Sequence, residues 1–144
     1  MSKKKPEHVF FDTNVYINLL KNPAYQLRLE IFLQGAYLFV LNKIVLMELW
    51  AGVKNHTEEN ILKQHQKIIP AIGLDDDNFI QAGKILFQMA KEHRNEPLSR
   101  RRLTWDILIA LSAKENNALL VTENQEDFRK IQNFLPFEFT SPAA

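Results

Sequence analysis

The sequence predicts an α/β fold: a short parallel sheet flanked by helices. Three observations carry this. Short runs rich in β-branched and aromatic residues, HVFFD from His8, YLFVL from Tyr37 and ALLVT from Ala118, are separated by longer stretches with helical spacing. Strands alternating with helices give parallel sheets with right-handed crossovers. Leu103 to Asn116 is apolar on nearly every side, as a central helix is. Finally, 144 residues with 46% hydrophobic and 24% charged side chains suit one domain around one core.

The elements follow in order. Residues 1–7, with Lys3, Lys4 and Lys5 before Pro6, read as a basic tail, residues 8–140 as one domain and residues 141–144 as a C-terminal tail. HVFFD is too brief and too β-rich for a helix. A helix from Thr13 to Leu20 opens directly off it. Pro23 suits the first turn of the next helix, which runs through Leu27, Ile31 and Phe32 to a stop at Gly35. YLFVL is a second strand. Ile44 to Val53 is a mostly apolar helix that breaks near Asn55. Ile61, Leu62, His65, Ile68 and Ile69 carry helical spacing up to Pro70. Asp75, Asp76 and Asp77 supply the cap and charged first turn of a helix whose apolar stripe is Phe79, Ala82, Gly83, Leu86 and Ala90. Pro97 and Ser99 mark a loop before the central helix. ALLVT is the third strand, Glu126 to Asn133 a short helix, and PFEF a last edge strand.

Composition excludes several functions. Lys plus Arg is 18 against 17 for Asp plus Glu, so the net charge of +1 leaves no general polycation. Cysteine is absent, which removes a disulfide framework, a thiol nucleophile and an iron–sulfur cluster. No apolar run has the length of a membrane span, and Asp12 interrupts what would be a signal-peptide core. A cytoplasmic location without membrane attachment is the expectation.

Three carboxylates stand out. VFFDTNVYINLL has Asp12 as its only charge, IVLMELWAGV has Glu48, and LTWDILIALSA has Asp106. A buried, isolated carboxylate is costly unless it is hydrogen-bonded, paired or bound to metal. Local structure offers a first answer for two of them. Asp12, where strand becomes helix, is placed to cap, and Asp106 lies near a helix start where the dipole favours an anion. Glu48 has only Ile44, Val45, Ala51 and Gly52 at its helical neighbour positions, so no partner on its own helix neutralises it. Convergence of all three at the carboxyl end of the sheet is the alternative, and ligands of parallel sheets bind there. An all-oxygen cluster suits Mg²⁺ or Mn²⁺ and phosphoryl chemistry.

At these residues the sequence resembles the PIN-domain ribonucleases, and among them the VapC-like toxins of type II toxin–antitoxin pairs. The matching pieces are FDTNVYINLL, VLMELWAG, TWDILIALSA and LLVTENQEDF, in family order. The resemblance implies a PIN-like three-layer sandwich with a short parallel sheet flanked by helices. It implies a metal-dependent endoribonuclease that cuts single-stranded or looped RNA with activated water, leaving a 5′ phosphate and a 3′ hydroxyl. Asp12, Glu48 and Asp106 fall on the family's acids and would hold Mg²⁺ or Mn²⁺, with Glu48 either a ligand or acting through water. Thr13 and Asn14 follow the first acid as in the motif, and Thr122 matches the hydroxyl residue after the later strand. The fourth polar position falls on Asn124 or is reached from Asp127. Thr13 and Asn124 would orient water or phosphate by hydrogen bonds. The resemblance also implies a homodimer and a small antitoxin whose segment blocks the acidic groove.

Other features are weighed beside these. Arg100, Arg101 and Arg102 form a loop or flank the acids as an RNA-phosphate contact, widened by Lys91 and Arg94. Trp50 and Trp105 suit core packing before base stacking, and Phe79, Leu86 and Met89 a core or dimer face. The four histidines show no ligand spacing. A haloacid-dehalogenase-type phosphotransferase needs a second Asp where Asn14 stands. The alternative to an enzyme is a catalytically weak PIN-fold module that binds or scaffolds.

Overall fold

The structure, a computed structural model, describes residues 5–33, 35–92 and 100–142, without the side chains of Phe32 and Arg100 to Arg102. The elements described are β1 (His8–Phe11), α1 (Thr13–Lys21), α2 (Pro23–Leu33), β2 (Leu38–Phe39), β3 (Leu41–Asn42), α3 (Lys43–Ala51), α4 (His56–Ile68), β4 (Ala71–Ile72), α5 (Asp76–Glu92), α6 (Arg100–Glu115), β5 (Ala118–Val121), α7 (Gln125–Gln132) and β6 (Phe139–Thr140). A four-stranded sheet runs β2-β1-β5-β6, and a two-stranded one joins β3 and β4. Every pairing among the described residues is parallel. This is the predicted α/β architecture, a parallel sheet flanked by helices.

β1 and β5 are its centre, paired from His8 opposite Ala118 to Phe11 opposite Val121. All four residues of β5 are buried, which explains why it reads as a continuous apolar run rather than an alternating one. α6 packs on β5, α3, α5 and α7. Its residues 106 to 113 are all buried, as expected of the central helix. Phe128, Phe137 and Phe139 close the β6 edge with ring centroids 5.8–6.2 Å apart.

Three expectations need correction. YLFVL is not one strand: it splits at Val40 into β2 and β3, which belong to different sheets. β3 takes β4 as its partner, and no strand is foreseen at Ala71–Ile72, because two residues carry no periodicity. The α5 stripe is rotated. Asn78, Ala82, Ile85 and Met89 are buried, whereas Phe79 is 56% exposed and Gly83 lies at the surface. The start of α5 is organised by Asn78, whose Oδ1 accepts from the Asp75 backbone N–H at 2.9 Å, with Asp76 and Asp77 in the first turn. Pro97, Ser99, His93 and Arg94 lie outside the described residues.

Capping fixes the helices that matter for the site. Asn42 Oδ1 accepts from the N–H groups of Ile44 and Val45 at the start of α3, and Asn55 Oδ1 from Glu58 N–H at the start of α4. Gly35, after α2, has φ +66°, the left-handed conformation in which glycine carries no Cβ penalty.

Candidate active site

β1 delivers Asp12 to the carboxyl end of the sheet. Its backbone N–H donates to Val121 O at 2.9 Å, which extends the β1–β5 ladder by one rung. The chain then turns into α1, for which Asp12 is the N-cap: Oδ1 accepts from Thr13 N–H at 2.9 Å. The other carboxylate oxygen has a separate partner. Thr122, fully buried just beyond β5, donates its hydroxyl to Asp12 Oδ2 at 2.7 Å. The same hydroxyl oxygen accepts from Asn124 N–H at 3.0 Å, so its single proton is committed to Asp12. Asn124 Nδ2 in turn donates to Asp127 Oδ2 at 3.1 Å. A continuous hydrogen-bonded path thus runs Asp12, Thr122, Asn124, Asp127. Asn124 and Asp127, the two candidates for the fourth polar position, are thus hydrogen-bonded to each other.

Glu48 comes to this end from α3. It is partly buried, and burial is the main force that pushes its carboxyl above the usual range. The Thr13 hydroxyl beside it acts in the opposite direction, and the charge of Asp12 pushes it further up. Glu48 therefore has its counterpart not on its own helix but on β1–α1. Asn14, the next residue, is exposed.

Asp106 sits on α6, 9% exposed. α6 turns into β5 through Asn116 and Asn117 and packs against it. The nine-residue step from Glu115 back to Asp106 is ~13.5 Å of helix. That matches the ~13 Å length of a four-residue strand such as β5. An α6 running straight and antiparallel to β5 would bring Asp106 level with the carboxyl end of that strand. Among the described residues, no three His, Asp or Glu side chains form a ready-made cation cage. Like charges 4 Å apart repel by roughly 4 kcal/mol at an effective dielectric of 20, so acids do not crowd together unaided.

The side chains of Arg100, Arg101 and Arg102 lie outside the described residues; only their backbone, opening α6, is placed. Trp50 packs against the core, and its Nε1 donates to Gln66 Oε1 at 2.8 Å. Trp105 is 38% exposed and does not serve the core.

One rim contact escapes sequence reasoning. Tyr25 Oη, from α2, donates to Glu123 Oε1 at 3.1 Å across the mouth of the β5–α7 loop. Burial, reinforced by Glu123, pushes the Tyr25 phenol up to about 12, so it keeps its proton. Nothing in local periodicity links residues so far apart. The only sequence sign is that Glu123 alternates with Thr122 and so points away from Asp12.

The profile of the PIN domain family matches residues 9–133. No curated protein matches the sequence. Among solved structures, a chain of VapBC-1 from nontypeable Haemophilus influenzae superposes with a TM-score of 0.68 at 19% identity, covering 95% of this chain and 99% of that one. A chain of VapBC2 from Rickettsia felis, bound to a DNA fragment from their promoter, gives 0.67 at 21% identity over 93% and 98%. A chain of DNA-bound VapBC from Salmonella typhimurium gives 0.68 at 21% over 94% and 98%. At such identities the likeness is one of fold.

Proposed function

The chain belongs to the PIN domain family, and from that premise we propose that it is a divalent-metal-dependent endoribonuclease acting as the toxin of a toxin–antitoxin pair. The observation that carries the reading is the carboxyl end of the sheet. There Asp12 is oriented through both of its oxygens, and Glu48 is held beside it with a raised carboxyl. The donor set is all oxygen, which fits Mg²⁺ or Mn²⁺. Asp12, Glu48 and Asp106 would hold the ion. When bound, such an ion polarises a phosphate and lowers the pKa of a water.

The chain's own groups then have distinct tasks. Thr122 and the Thr13 N–H keep the Asp12 carboxylate in one orientation. Asn124 is held by Thr122 and Asp127, and with the exposed Asn14 it offers amide groups to a phosphate or water. Positioning of this kind supplies much of the rate in phosphodiester hydrolysis. The expected products are a 5′ phosphate and a 3′ hydroxyl.

The partners in this reading are RNA, an antitoxin and a second copy of the chain. A groove of about 210 Å³ between α1, α3 and α4 supports the antitoxin. Ile17, Leu20, Leu49, Leu62 and Glu48 line it, so a peptide seated there would lie against Glu48. Solved chains with this fold come from VapBC structures.

The test is cleavage of a single-stranded or looped RNA by purified protein in Mg²⁺, Mn²⁺ or EDTA. We expect cleavage with either ion, none in EDTA, and at least ~100-fold loss in Asp12→Asn and Glu48→Gln. Cleavage that persists in EDTA or in Asp12→Asn would refute the assignment. A protein whose melting temperature ignores both ions would instead be the binding or scaffold module.

A further inference from the structure

We propose that the buried hydrogen bond between Asn42 and Ser112 is the joint that sets the spacing of Glu48 and Asp106, which makes Asn42 and Ser112 positioning residues of the site. The proposal rests on the nuclease reading only for its consequence, not for its geometry.

Asn42 Nδ2 donates to Ser112 Oγ at 2.6 Å, linking the start of α3 to the last turn of α6. Asn42 is 2% exposed and Ser112 not at all. Both are fully committed. Asn42 Oδ1 accepts from Ile44 and Val45 N–H, and Ser112 Oγ donates to Ile109 O at 2.6 Å. The serine proton is thus used on its own helix, and its lone pairs are left for Asn42. Capping alone does not demand asparagine, since serine or aspartate caps as well. Only asparagine caps with its oxygen and still reaches across with N–H.

The position of the joint gives it meaning. Glu48 lies six residues after Asn42 on α3, and Asp106 six residues before Ser112 on α6. From the joint, α3 rises to the end where Glu48 meets Thr13. Followed backwards, α6 leads from Ser112 to Asp106. Each step is ~9 Å of helix. Both acids therefore stand at equal distances from one fixed point.

The rest of the α3–α6 contact is apolar and adds no directional bond to this spacing. The buried faces are Val45, Leu46 and Leu49 on α3 and residues 107–111 on α6, all aliphatic. Apolar contact is non-directional and permits sliding. A slip of one residue displaces an acid by ~1.5 Å, far beyond the ~0.2 Å tolerance of metal–ligand distances.

The chain lacks cysteine, so Met47→Cys with Trp105→Cys introduces the only two thiols. Each position adjoins an acid and is exposed, at 45% and 38%. Nitroxide labels there report the α3–α6 distance by pulsed electron resonance without metal. In this frame Asn42→Ser keeps the cap and deletes the reach, and Ser112→Ala deletes the acceptor. The expected result is one narrow distance in the parent. Either variant should shift or broaden it by ~2 Å or more, and the double variant no further. In unlabelled protein each variant should weaken Mn²⁺ binding about tenfold at temperatures where it stays folded. Unchanged distances, even with a lowered melting temperature, would overturn the proposal and leave the pair as a stability element. Shifted distances in a protein that takes up no Mn²⁺ would uphold the joint and refute the nuclease reading.

Discussion

Thr122 carries no charge and no exposed surface, yet it decides how Asp12 points. Its proton goes to Asp12 Oδ2 and its oxygen takes Asn124 N–H. Thr122→Val keeps the shape and removes both bonds. The expected cost is ~1–2 kcal/mol of stability and a 10- to 100-fold loss of metal affinity or activity, the range for groups that orient a ligand. Chemical melting and RNA cleavage check the two parts separately. At Asp12 the cap read from the sequence is present: one oxygen caps α1 while the other accepts from Thr122. Asp12, Glu48 and Asp106 are visible in sequence because each is the single charge in an apolar run. Of the polar groups around them, Thr122 is reached in the sequence only through the family resemblance, and Asn42 and Ser112 not at all. Thr122, Asn42 and Ser112 are small polar residues whose partners lie 70 or more residues away, and such pairs leave no local pattern.

Elements explain where sequence patterns hold and where they fail. Long helices flanked by caps and breakers fall where periodicity puts them. β4 and the break at Val40 do not, because a two-residue strand is defined by its partner alone. Gly35 is a clean test of the α2 terminus. A Cβ there meets nothing within 4 Å, so Gly35→Ala carries only the backbone penalty of φ +66°. It should lower stability by about 1 kcal/mol in thermal or denaturant melts. The clamp between α1 and α4 gives a pH signature. Tyr16 Oη is hydrogen-bonded to His65 Nδ1, and burial holds His65 below its ordinary 6.5. A depressed pKa means the folded protein binds fewer protons, so this stability is present above pH 6.5 and is lost as pH falls through the folded value. Glu48 works in reverse. Its raised carboxyl favours the folded state at low pH, and that contribution is lost as pH rises from 4.5 through the folded value. His65→Gln should therefore move the pH of maximum stability downward, and Glu48→Gln should move it upward. Glu48 is only partly buried, so solvent screening keeps its effect small. Melting curves from pH 4 to 8 read both.

At the scale of the whole molecule, the rotated face of α5 becomes informative. Helical spacing leaves Phe79 to a core or a dimer face, because it cannot tell a face buried in the chain from one buried between chains. In the structure Phe79 is 56%, Ile80 64% and Phe87 70% exposed, with Gly83 between them opening onto space. A cleft of about 350 Å³ between α5 and α6, lined by Leu86, Phe87 and Leu103, continues this surface. Large apolar groups clustered on one face mark interaction sites. A second copy of the chain is the occupant we propose: a two-fold axis would set α5 against its own copy, and the same apolar side chains would serve both partners. Phe87 is the most exposed aromatic of the cluster, so it is the natural anchor. Phe87→Lys places a charge in the contact and sets two like charges near the axis. It should weaken self-association at least ~30-fold, as loss of an interface hot spot does. Sedimentation at graded concentrations should show parent dimers and variant monomers. Because α5 carries none of the candidate acids, Mn²⁺ affinity per chain should be unchanged in the variant. A parent that stays monomeric at high concentration, or a Phe87→Lys variant that still pairs, would place the contact elsewhere.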